Sequence, residues 1–207
     1  MRAKAALSMS FVAALGLALM GCPSPQPPPP APTPGPSPSP ASQACVDFEP
    51  PLPAGAQYGR PGQSSGDVVF TTNGIPVSVY DFVFANGGGA FNSARIEQPP
   101  TPFSSGQSIG TNNINLEFDF TSLGLPRSQV QFDFLDMSGF ENISVNGSPV
   151  FAGEFSAAPN PIGGVKIVVN TVPVANGKKG TVILLGTVDK LRIGGQELWI
   201  DQVCVKR

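Results

Sequence analysis

The 207-residue chain contains no histidine. That absence removes Ser-His-Asp and Cys-His nucleophile arrangements and any His-ligated zinc site. Charge is sparse as well, at 13% of residues, and the balance is mildly acidic. Nucleic acid wants a basic stripe, and none is present. Aromatic residues make up 8%, mostly phenylalanine, with a single tryptophan, Trp199. No stretch reads as a long amphipathic helix, and no contiguous D-x-D-x-D-G calcium loop occurs. Glycine and proline, in contrast, number 24 each. Much of the proline belongs to one segment, but glycine is spread through the rest, which suits an all-β domain with many turns.

The first 22 residues carry their own signal. Arg2 and Lys4 precede an apolar run from Ala5 to Met20, too short to span a bilayer comfortably, followed by Gly21 and Cys22. This is the pattern of a cleavable export signal. The run Leu19-Met20-Gly21-Cys22 resembles the lipobox of bacterial lipoproteins, with Met20 a less usual occupant of its position. The resemblance implies a signal peptide over 1–21, cleavage before Cys22 and lipidation of the Cys22 thiol. The alternative is an ordinary secretory signal with an incidental cysteine. After cleavage, ten basic residues face fourteen acidic ones, a net charge of −4. Membrane attachment then rests on lipid rather than on an electrostatic patch, and stable anchoring takes two or more acyl chains. Pro rather than Asp at position 23 implies, by resemblance to Gram-negative sorting rules, a cell-envelope protein at the outer membrane where the organism has one.

With Cys22 set aside, Cys45 and Cys204 remain, and export to an oxidising compartment predicts a disulfide between them. Two unpaired buried thiols are the alternative. From Pro23 to about Gln43 the sequence is Pro-rich, uncharged and without apolar periodicity, so residues 22–43 read as an extended polyproline II tether. At ~3.1 Å per residue such a tether reaches roughly 60 Å.

Residues 44–207 read as one domain with frequent strand signals. Val77, Val79 and Val83 alternate with polar residues, as do Ile114, Leu116, Phe118 and Phe120, then Val130, Phe132 and Phe134, then Val165, Ile167 and Val169. Period-two alternation buries one face and wets the other, the habit of antiparallel sheets. Asn73-Gly74, Asn146-Gly147 and Asn176-Gly177 are strong hairpin signals, and Gly194-Gly195 reads as another tight connection. About ten short strands are predicted, an all-β antiparallel β-sandwich of jelly-roll type.

The domain opens on Cys45-Val46-Asp47-Phe48-Glu49 and closes on Leu198-Trp199-Ile200-Asp201-Gln202-Val203. These end strands resemble those of galactose-binding-like jelly rolls, a group that includes many bacterial carbohydrate-binding modules. The resemblance implies neighbouring termini, a glycan or glycoconjugate ligand, and a structural calcium ion held by Asp47 or Glu49 together with Asp201. Calcium takes six to eight oxygen ligands, of which adjacent strands can supply two or three carboxylates. Solvent-facing acids on strand edges are the alternative.

Loops are where sandwiches place function. Tyr58 and Arg60, in AGAQYGRPGQSSG, are candidate ligand contacts, with Phe91 and Arg95 behind the Asn86–Gly89 run. Pinning the loops to the sheet is the alternative for each. Phe103 reads as a loop plug, and Trp199 as a packed core residue. Glu117 and Asp119 point the same way on one strand, and the spacing resembles the catalytic strand of retaining β-glucanases. Thr121 and Ser122 stand where the second glutamate should be, so these acids, with Asp133 and Asp136, read as a polar outer face. The expected function is non-catalytic binding at the envelope. A structural or adhesive protein with protein partners, and less so a glycoside hydrolase, are the other readings.

Overall fold

The structure, a computed structural model, describes residues 43–124 and 127–206. The signal segment, Cys22 and the Pro-rich tether up to residue 42 lie outside the described residues, while Gln43, expected to end the tether, opens the first strand opposite Lys206. Among the described residues thirteen strands, β1 (Gln43–Val46), β2 (Gln57–Gly59), β3 (Val68–Thr72), β4 (Ile75–Val83), β5 (Gly89–Ala90), β6 (Ser93–Glu97), β7 (Ser108–Asn112), β8 (Ile114–Asp119), β9 (Gln129–Val145), β10 (Phe151–Gly153), β11 (Lys166–Val174), β12 (Gly177–Leu185) and β13 (Lys190–Lys206), follow one another with two short 3-10 turns between. Every pairing is antiparallel. The fold is an all-β sandwich, as the alternation predicts.

Two 17-residue strands, β9 and β13, build both layers. The first part of β9 and the last part of β13 sit at the centre of one layer, ordered β11-β12-β9-β13-β7-β6-β2. The last part of β9 and the first part of β13 continue into the other layer, where β10 lies beyond β9, and β8 and β4 lie beyond β13. Gly194-Gly195 therefore joins no hairpin. It marks the bend inside β13, where the register slips between Gly195 and Leu198. A Cβ on Gly194 would lie 2.1 Å from the Ile114 carbonyl oxygen, and one on Gly195 would lie 2.4 Å from Leu198 Cβ. Only glycine lets the strand cross between layers so close to its neighbours. Thirteen strands stand where the sequence predicts about ten short ones, and β9 and β13 are long because each serves both layers.

The Asn-Gly signals fall at chain reversals. Asn73 and Asn146 adopt φ of 50° and 52° with a positive-φ glycine behind each. At the third, Asn176 alone is left-handed, at φ 63°, and Gly177 already opens β12, pressed against the Asp136 carbonyl.

The inward residues form one continuous core. Val77, Val79, Ile114, Leu116, Phe118, Phe120, Val130, Phe132 and Phe134 are fully buried, and Phe155 meets Phe132 and Phe134 edge-on. Val83 departs from its expected phase. The alternation of β4 breaks at the exposed Asp81, so Phe82 is buried and Val83 only partly so. At the chain ends β1 pairs with β13, Cys45 opposite Cys204, and the two form a disulfide with a Cα–Cα separation of 4.0 Å.

Candidate ligand-binding groove

Beside the bend of β13, the outer face of the β11–β2 layer is hollowed into an open groove of about 200 Å³. Enclosed small-molecule sites usually offer ~300–1,000 Å³, so this one suits a single small ring lying at the surface. Its floor follows from strand register. Trp199 of β13 stands opposite Gly110 of β7, and Gly110 stands opposite Arg95 of β6. Leu198 and Ile200 point into the core, so Trp199 between them points out.

Gly110 makes the seat for the indole. A Cβ there would come within 2.7 Å of Trp199 Nε1 and 2.8 Å of Glu97 Oε1. The indole N–H donates to Glu97 Oε1 at 3.0 Å, which fixes the ring in place. Arg95 has a side chain 61% exposed, and its Nε is 3.9 Å from Glu97 Oε2, a loose contact that leaves the guanidinium donors toward solvent. The far end is set by the β9–β13 corner, where Gln196 Oε1 accepts the Phe140 N–H and Glu197 Oε2 accepts from Ser138 Oγ. Asn112 and Ser93, opposite each other on β7 and β6, complete the wall. The arrangement joins an oriented aromatic ring to amide, hydroxyl, guanidinium and carboxylate groups, the combination that matches a sugar's apolar face and polar rim.

The two groove carboxylates belong to Glu97 and Glu197. Four residues along a strand and two strands across place their backbones ~16 Å apart. Glu97 is drawn to the indole and Glu197 to Ser138.

The residues singled out from sequence divide. Arg95 lines the groove. Tyr58 and Phe91 are core residues, 9% and 7% exposed. Tyr58 packs on Phe70 with centroids 5.0 Å apart, and burial raises its pKa. The exposed Arg60 lies 5.7 Å over the Phe91 ring. The stacking role expected of Tyr58 and Phe91 is thus corrected: their rings anchor loops to the sheet. Trp199 is corrected in the opposite sense, from core to groove floor. Its neighbours give the signal, because a strand that buries Leu198 and Ile200 must turn residue 199 outward. Gly110 sends a weaker one, a glycine inside a strand that marks a close approach.

Of the proposed calcium ligands, Asp201 is fully buried. Its pKa is pushed up to about 7, chiefly by burial, with Ser104 and the Gln202 N–H opposing and Asp133 and Glu49 adding repulsion. Glu49 accepts the Gln107 N–H at 2.7 Å. Asp47 instead faces the Glu49 N–H, at 3.4 Å, in the turn after β1. The structure therefore brings Glu49 and Asp201 into one electrostatic neighbourhood and places Asp47 against its own backbone.

On the opposite layer Glu117 is held by Arg192, at 2.7 and 3.1 Å, and by Lys190 at 3.5 Å. Asp119 is paired with Lys190 at 3.4 Å. The Arg192 guanidinium stacks 3.6 Å over Tyr80. Asp133 accepts from Thr181 Oγ1 at 2.6 Å. Asp136 differs from the outer-face expectation. It continues the inward series of Phe132 and Phe134 and is 6% exposed.

The chain matches no family model, no curated protein and no solved structure. Its class rests on the fold itself: an antiparallel all-β sandwich, compatible with a jelly-roll-like domain and closed by a terminal disulfide.

Proposed function

We propose that this is a non-catalytic binding domain, carried at the cell envelope by a lipid on Cys22, whose ligand is a glycan or glycoconjugate. The observation that supports this reading is the Trp199 groove. A single indole is held flat by Gly110 and Glu97 and bordered by side chains able to read sugar hydroxyls. Glu97 is engaged by the Trp199 indole and Glu197 by Ser138, which argues against the paired carboxylates, about 5 Å apart, of retaining hydrolysis. Calcium at Glu49 and Asp201 belongs to the same proposal, since a divalent cation would relieve the buried Asp201 carboxylate beside the partly buried Glu49. Calcium should then raise the melting temperature of the chelator-treated protein, and an unchanged temperature would sink that part.

A glycan-array screen of the oxidised protein, repeated with Trp199→Ala, tests the main reading. Saturable binding to a related set of sugars, lost in the variant, is expected. A blank array would turn attention to protein partners, a reading supported by β11, a nine-residue edge strand on which Val172 is 56% exposed.

A further inference from the structure

Between the two layers, at the end where β9 bends, one lysine meets three carboxylates. Lys178, at the start of β12, stands opposite Asp136 of β9. Its Nζ is 2.9 Å from Asp136 Oδ2, 3.1 Å from Glu141 Oε1, and in direct contact with Glu154 Oε2. Glu154 lies in the segment between β10 and the following 3-10 turn. The Asp136 side chain is 8% exposed and that of Glu141 not at all. Glu141 Oε2 has no hydrogen-bond partner and shares this pocket with the other carboxylates. One amine, one touching carboxyl and two flanking carboxyls compose a group able to do chemistry on itself.

We propose that Lys178 and Glu154 condense to an intramolecular isopeptide bond, with Glu141 as proton donor and Asp136 as proton acceptor. Burial draws the lysine toward its neutral form, but the surrounding carboxylates outweigh it, so the reaction begins from an ammonium–carboxylate pair. Asp136 takes one ammonium proton. The freed lone pair on Nζ attacks Cδ of Glu154 and forms the C–N bond, while Glu141 protonates Oε2. Asp136 and Glu141 then relay a second nitrogen proton to Oε2, the C–Oε2 bond breaks, and that oxygen leaves as water. Two hydrogens leave the nitrogen and two leave with the oxygen, both acids return to their starting states, and no oxidant or co-reactant enters. Glu141 is suited to its part because burial, with the Asp136 charge adding and Lys178 opposing, pushes its pKa to about 7, near the operating pH. The product replaces two partly buried charges by an amide and ties the segment after β10 to β12 across the layers.

The mass of the full chain tests this without knowledge of any ligand. The protein is purified, its disulfide is reduced, and its intact mass is compared with that of Lys178→Arg, so that modifications elsewhere cancel. The wild type should be lighter by one water molecule than the residue difference alone predicts. Trypsin cleavage at Lys166 should leave a branched peptide with two α-amino termini and its branch at Glu154, which can be read on the wild type even if the variant does not fold. Glu141→Gln, unable to donate the proton, should keep the full mass. A wild type without the missing water overturns the bond. A branch at Asp136 or Glu141 overturns the choice of Glu154, and a linked Glu141→Gln overturns the role of Glu141.

Discussion

The two outer faces of the sandwich are built from similar residue types and behave oppositely. On the β8–β4 layer, Glu117, Asp119, Lys190 and Arg192 neutralise one another, and Tyr80 is covered by the Arg192 guanidinium. On the β7–β6 layer, Arg95 and Glu97 are 3.9 Å apart, and the aromatic ring lies beside them in an open groove. One face has closed its charges into a ladder, and the other holds its polar groups around an open groove. Composition alone does not separate a binding face from a solvated one. The separation lies in whether each charge already has a neighbour.

The largest blow to this contrast is to open Cys45–Cys204. The bond spans 159 residues of sequence, and its loss should cost about 5 kcal/mol in the chain-entropy model. Thermal denaturation with and without reductant should show it, and ligand binding on the same layer should weaken with it. A reduced protein with an unchanged melting temperature would show that the bridge is not the layer's main fastening. Next, Trp199→Ala should weaken ligand binding by ~2 kcal/mol, or ~30-fold in Kd, at little cost in stability. Titration calorimetry with the best array sugar would check it.

Glu117→Ala should do the reverse. It strands Arg192 and Lys190 on the opposite face and should lower stability by ~1–2 kcal/mol, a value between those of surface and buried pairs, while Kd stays the same. If Glu117→Ala weakens binding as much as Trp199→Ala, the two-face contrast is wrong.

An effect confined to one pH window concerns Asp201. Its pKa rises from the model-compound value of 3.8 to about 7 on folding. In that window the folded chain binds the proton more tightly than the unfolded chain, so this group's contribution to stability falls as pH rises from about 4 to about 7. In chelator, Asp201→Asn should flatten the melting-temperature profile over that range, by on the order of 10 °C. An identical profile for variant and wild type would place the perturbation elsewhere.

Much of the fold was legible because alternation is local. Ile114, Leu116, Phe118 and Phe120 announce their buried face without reference to any other strand, and the asparagines of the Asn-Gly pairs announce left-handed backbone. The two-layer course of β9 and β13 was not legible. A glycine pair inside a bent strand and a glycine pair in a hairpin are the same letters, and only the neighbours Ile114 and Leu198 tell them apart. The groove was hidden for a related reason. Its parts come from Arg95, Gly110 and Trp199, which lie on three strands, β6, β7 and β13, and are adjacent only through register. Loop aromatics are the more conspicuous candidates, yet Tyr58 and Phe91 lie in the core, where a ring beside a glycine-rich loop supplies the anchor. Lys178, Glu141 and Glu154 gave no signal at all, since each is an ordinary charged residue until β9 bends and brings them together.

The Cys45–Cys204 bond also sets how the domain would carry a load. A pull on the chain ahead of residue 43 enters through β1, a four-residue strand whose hydrogen bonds would open one after another like a zipper. The covalent link intercepts that tension at its third residue and passes it to β13, the strand that lies inside both layers. Peeling of β1 thus stops at Cys45, and the load passes into the strand that is hydrogen-bonded within both layers.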